Sequence, residues 1–200
     1  MLRKDQLPIL AVNILGLIFF SGIFILQKNY EFLLYIIVFV LIILFVIFTN
    51  ERAQYSNALS WGLSIWGFMH LTGSGIYVDG VKLYEIILIP ISSYYQIFRY
   101  DQLVHVLGMA IMTIAVYDLL KSYLTTESIK NWGTLAIFLV AISLGVGAWN
   151  EIVEFFVTVL IPRNGVGGYL NTSLDQVSNL AGIFIALVYI RTKNFLAEEN

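Results

Sequence analysis

The chain has 200 residues, 59% of them hydrophobic and 12% charged, and its mean hydropathy of +0.83 lies outside the range of a soluble globular domain. A formal net charge of −2 without any long basic run excludes the electrostatic footprint of a nucleic-acid binder. Cysteine is absent, so there is no disulfide and no thiolate nucleophile, and a metal site would have to be built from oxygen and imidazole.

In chain order, Arg3 and Lys4 precede an apolar run with no small-x-small cleavage pattern at its end, which predicts an uncleaved first span over 7–26. Further apolar runs predict spans over 31–49, 55–72, 101–120, 132–160 and 173–190. Between the third and fourth, "YEIILIPISSYYQIF" is broken by Pro90 and two serines. That composition predicts a re-entrant or interfacial segment, with Tyr94 and Tyr95 at the headgroup level. The expected fold is all-α: a polytopic transmembrane helical bundle forming one integral domain over 1–200, with two N-terminal spans in 1–50 and a four-span core in 55–190.

Basic residues set the expected orientation. Arg3, Lys4, Arg52, Lys121, Lys130, Arg191 and Lys193 fall at the N-terminus, in the even gaps or after the last span, against Lys28, Lys82, Arg99 and Arg163 in the odd gaps. The positive-inside rule then puts both termini in the cytoplasm of a cell that carries the protein in its plasma or inner membrane. Whatever the orientation, parity puts the end of span 3, the start of span 4, the end of span 5 and the start of span 6 on one membrane side.

Those four places hold the unusual polar residues. "RYDQLVH" sets Asp101 and His105 four apart on one helix face, and "NEIVE" sets Glu151 and Glu154 three apart. "NTSLDQVSN" does the same for Asp175 and Asn179, while "MHLTGSG" brings His70 to the end of span 3. A charge at mid-bilayer costs about 2.5–3.5 kcal/mol even on lenient scales, so these acids must pair, protonate or bind a cation. Nearby basic side chains are few, with Arg99 and Arg163 the obvious ones, and His105 could take one hydrogen bond or charge. Carboxylates and imidazoles converging from several helices are the ligand set of a divalent cation such as Mg²⁺, Mn²⁺, Fe²⁺ or Zn²⁺.

Plainer roles compete for some of these residues. "SLDQ" has the form of a capping box that would place Asp175 in a first helical turn, and Asp101 could cap span 4 or pair with Arg99. His70 could be a hydrogen-bonded structural histidine, and Asn179 could simply bridge helices. Glu151 and Glu154 resist such readings, because they lie toward a helix C-terminus, where the dipole disfavours anions, and apolar residues continue past them. Asp79 and Glu85 belong to the segment between spans 3 and 4, and Asp118 and Glu127 lie on the opposite side. The sequon at Asn171 reads as part of a helix cap, and "GVGG" from Gly165 as a turn lacking the lysine of a phosphate loop.

"FRYDQLVHVLG", "AWNEIVEFF" and "LNTSLDQVSNLAG", preceded by "MHLTGSGIYV", resemble the YjdF-type inner-membrane proteins, and their order is similar to the broader VanZ-like pattern. The resemblance covers residues 60–190 and falls on Asp101, His105, Glu151, Glu154, Asp175 and Asn179. It departs from YjdF-type members where they carry an aspartate-rich "GD.WD" stretch, since "GGYLNTSLD" offers Asp175 alone. The VanZ-like link to glycopeptide resistance implies a role near the cell envelope and no defined reaction.

The expectation is therefore an intramembrane, metal-dependent site acting on a lipid or lipid-linked envelope substrate, with Glu151 or Glu154 as general base and His70, Asn179 and Arg99 in support. The alternatives are a protein that binds or conducts a cation, proton, lipid or antibiotic, and a purely structural polar cluster.

Overall fold

Each of the six apolar runs forms a helix: α1 (Leu7–Leu26), α2 (Tyr30–Ala53), α3 (Asn57–Gly75), α4 (Tyr100–Leu120), α5 (Trp132–Leu160) and α6 (Tyr169–Glu198). The computed structural model describes residues 2–92, 94–125, 131–161 and 167–198. Arg163, Lys130, Glu127 and the start of the "GVGG" turn lie outside them. In a solvent without water, a helix satisfies its peptide groups within its own segment, so long apolar runs have little other choice. Side chains mark several starts: Asn29 accepts from the Phe32 N–H, Ser56 from Leu59 and Asn131 from Thr134.

Five of the helices are long and apolar enough to cross a membrane, α3 being the exception. The 19 residues of α3 nevertheless reach about 28 Å, close to the thickness of a hydrocarbon core. Its hydropathy is lowered by small and polar residues such as Ser64, Gly67, Gly73 and Ser74, all of them buried inside the protein. The bundle's outer surface is instead a belt of large apolar side chains, with Ile18, Leu26, Phe48, Ile137 and Val188 all more than 60% exposed. A soluble domain does not carry such a surface.

Two large apolar clusters organise the interior, beside a smaller third of Ala53, Tyr55, Leu59 and Ala115. Phe20, Phe24, Phe32, Tyr35, Phe39 and Leu71 of α1–α3 meet Val157 of α5 in one. Met109, Leu135, Leu139, Ile183, Leu187 and Ile190 join α4, α5 and α6 in the other. The most extensive helix contact is α4 against α6. It is close because Gly182 has no side chain: a Cβ there would lie 2.2 Å from the Val106 carbonyl oxygen.

Among the described residues, the broken stretch between α3 and α4 is mostly extended, with one 3-10 turn over Leu83–Glu85. It forms two antiparallel pairs, β1 (Tyr77–Val78) with β2 (Val81–Lys82) and β3 (Ile87–Ser92) with β4 (Ile97–Arg99). Pro90 and the isoleucines around it suit an extended edge strand better than a helix. Ile89, Ile91, Tyr94 and Tyr95 are exposed, and β4 runs directly into α4.

The bundle ends differ in chemistry. At one, Gln6 and Asn50 exchange amide hydrogen bonds of 3.0 and 3.2 Å, and Arg3 donates to the Tyr55 carbonyl. Arg52 donates to the Tyr123 hydroxyl and Arg191 stacks over Trp132 at the same end. The other end gathers the acids.

Candidate metal centre

The start of α4 is held by Gln102, whose side-chain oxygen accepts from the Arg99 N–H at 3.0 Å and from the Phe98 N–H. Gln102 thus does the capping, and Asp101 is left to face the bundle. One turn on, His105 Nε2 lies 3.7 Å from Asp101 Oδ1 and 3.9 Å from Asp175 Oδ1. His105 Nδ1 meets Asn179 Oδ1 at 3.1 Å. With the imidazole N–H donated there, Nε2 keeps its lone pair directed at the carboxylates, an arrangement that metal-binding histidines commonly adopt.

Helix α6 starts at Tyr169, earlier than the apolar run implies. Asp175 is therefore past the first turn and fully buried, so the capping role does not apply. The first turn is mostly polar and partly exposed, and Asn171 ties it to Asp101 and Asp175, so hydropathy is a poor guide to this helix limit. Asn171, one turn before Asp175, donates to Asp175 Oδ2 at 2.6 Å and to Asp101 Oδ2 at 3.5 Å. Asn171, Asp175 and Asn179 form a single stripe at a spacing of four. Neither the cap nor the sequon reading assigned Asn171 to the site, although its distance from Asp175 repeats that from Asp175 to Asn179.

Helix α5 contributes Glu151 and Glu154. Asn150, also unassigned from sequence, donates to Glu154 Oε1 at 2.9 Å across one helical turn. Both Glu151 oxygens and Asp175 Oδ1 are buried without a hydrogen-bond partner among the described residues. Such orphaned acceptors are rare in folded proteins and call for a ligand or proton to explain them. Ligand atoms of Asp101, His105 and Asp175 all lie within 4.8 Å of one another, and so do those of His105, Glu151 and Glu154. His105 is common to both groups. An ion bound at 2.0–2.6 Å from its ligands needs ligand atoms spaced on that scale, so the donor set fits a hard or borderline divalent cation.

His70 stands apart from these groups. Its Nδ1 shares a hydrogen bond of 2.5 Å with the Tyr84 hydroxyl, and its ring packs among Phe32, Tyr35, Phe39 and Trp66. Burial, and after it the negative charge of Asp101, keep the Tyr84 phenol protonated far above its ordinary range. Tyr84→Phe is expected to lower the melting temperature by the equivalent of about 1–3 kcal/mol, the penalty for leaving a buried partner unsatisfied. Thermal unfolding at matched detergent would measure it. A polar cleft of about 370 Å³ runs from His70 and Tyr84 past Arg99 to Asp101, Glu154 and Asn171, so His70 and Arg99 belong to the approach to the acids.

The model of a family of predicted membrane proteins, DUF2238, matches residues 7–194 of the chain. No curated protein and no solved structure matches it.

Proposed function

The chain belongs to the DUF2238 family of predicted membrane proteins, and from that premise we propose that Asp101, His105, Glu151, Glu154 and Asp175 bind a divalent cation that acts on a lipid or lipid-linked envelope substrate. In the plasma membrane with both termini cytoplasmic, the centre opens on the outer face. The observation that carries this reading is the orphaned Oδ1 of Asp175, fully buried and 3.9 Å from His105 Nε2. A buried carboxylate in low dielectric needs a counter-charge, and the described residues offer it no ion pair beyond a histidine. A bound cation would polarise a substrate oxygen or acidify a water, with Glu151 or Glu154 able to take the proton. Asn171, Asn150 and Asn179 hold Asp175, Glu154 and His105 in place. The likeness to YjdF-type and VanZ-like proteins supports the same reading through the order of the motifs.

The two alternatives draw less support. Conduction needs polar groups along the whole bundle, whereas beyond the acids the buried pair Thr113 and Ser143 is bonded to itself beside the apolar cluster of Leu139 and Ile183. A purely structural lock would be expected to satisfy its own acceptors, and here several are unsatisfied.

Elemental analysis of the purified protein is the direct test. Stoichiometric metal is expected in the wild type and a large loss in Glu151→Gln and Asp101→Asn, with neither variant restoring the envelope lipid profile of a deletion strain. A wild type that binds no metal at saturating concentrations would end the metal reading. Full complementation by both variants would end the enzymatic one.

A further inference from the structure

We propose that the cleft beside the centre receives a phosphate group borne by a membrane amphiphile, with Arg99 and Lys82 as its anion-binding pair. This deepens the metal-centre reading and rests on it. Arg99 and Lys82 both line the 370 Å³ cleft, and both are half-buried. Neither makes an ion pair within 4 Å or a side-chain hydrogen bond among the described residues, although Arg99 acts electrostatically on Asp101 and Asp175. Two half-buried cations that line one cleft, beside acids they do not clasp, are arranged for an anion that arrives from outside.

The ends of the helices reinforce that charge. Helix α4 begins at Tyr100 and α6 at Tyr169, and Asp101, Gly167 and Asn171 near those N-termini line the cleft, so both macrodipoles present their positive ends to it. Tetrahedral phosphate has enough oxygens to reach a cation held by the acids and two separated basic side chains, whereas a carboxylate has only two coplanar ones. Glu85 lines another part of the cleft and suits the hydroxyl or ammonium portion of a headgroup. Strand β3 adds the apolar component: Ile87 lines the cleft, and Ile89 and Ile91 of the same strand are exposed beyond it. The cleft volume falls within the range of small-ligand sites.

The test uses full-length protein in phosphate-free lipid-like detergent with Mn²⁺, and four probes: dioctanoyl phosphatidic acid, glycerol 3-phosphate, inorganic phosphate and dioctanoylglycerol. Phosphatidic acid is expected to bind and dioctanoylglycerol not. Arg99→Gln and Lys82→Gln should each weaken phosphatidic acid binding at least tenfold with Mn²⁺ content unchanged, and Arg99→Lys should recover part of the loss. Equal affinity of Arg99→Gln and wild type for phosphatidic acid overturns the proposal, as does binding of dioctanoylglycerol as tight as that of phosphatidic acid. Inorganic phosphate or glycerol 3-phosphate binding as tightly as the lipid overturns the amphiphile as occupant and leaves a phosphate site for soluble ligands. If no Mn²⁺ binds while phosphatidic acid binding still depends on Arg99, the anion site stands and the metal reading falls alone.

Discussion

Asp175→Asn is expected to melt at a higher temperature than the wild type in chelator, and to lose the stabilisation that a divalent cation gives the wild type. Asparagine has nearly the same shape and keeps an oxygen for the Asn171 amide, which lies 2.6 Å from Asp175 Oδ2. What changes is the charge. In the absence of metal, the aspartate is a fully buried acid with one unsatisfied oxygen, so neutralising it removes a desolvation penalty. With metal at a hundredfold excess over its dissociation constant, the wild type gains about 2.7 kcal/mol by linkage. For a chain of this size that corresponds to about 5–10 °C in melting temperature. The two proteins should therefore exchange rank when chelator is replaced by cation. A wild type whose unfolding ignores every cation tried, or a variant that responds as strongly as the wild type, would remove Asp175 from the ligand set.

Gly182→Ala is expected to be among the most damaging single-methyl changes in the chain, because the new carbon has nowhere to go. It would lie 2.2 Å from the Val106 carbonyl oxygen and 3.0 Å from the Ala110 nitrogen, and both are backbone atoms that no rotamer change can move. Helices α4 and α6 must separate, at about 1–3 kcal/mol or more by analogy with overpacked cores. Separation also draws His105 away from Asp175 and Asn179, so metal content should fall together with stability. Gly145→Ala on α5 is the control: nothing lies within 4 Å of the position, and alanine there should be neutral or stabilising by about 0.5–1 kcal/mol. Unfolding curves and metal analysis of the two variants side by side would show the contrast. Equal behaviour of the two would mean that the α4–α6 contact is looser than described.

Much of this was legible in the sequence because a membrane imposes so few options. Apolar length alone located all six helices, most within a few residues, since lipid tolerates helices and little else at depth. Parity then brought Asp101, His105, Glu151, Glu154 and Asp175 to one end without any knowledge of packing. Where other physics decides, the sequence was less informative. The start of α6 is set by polar contacts at the bundle end, so its apolar run began too late and hid both the depth of Asp175 and the part played by Asn171. The stretch around Pro90 is apolar enough for lipid but forms β3 and β4, because its extended conformation is fixed by pairing with residues several positions away. His70 shares a membrane side with the acids, yet the rings of Phe32, Tyr35 and Phe39 hold it in their own cluster. No periodicity reveals which of two neighbouring pockets a side chain will enter.

The apolar cluster beyond the acids, centred on Leu139 and Ile183, gives the molecule a floor. None of that cluster's residues lines the cleft that reaches Asp101 and Glu154. Under the proposed function, substrate and product would share that cleft, each excluding the other while it is bound.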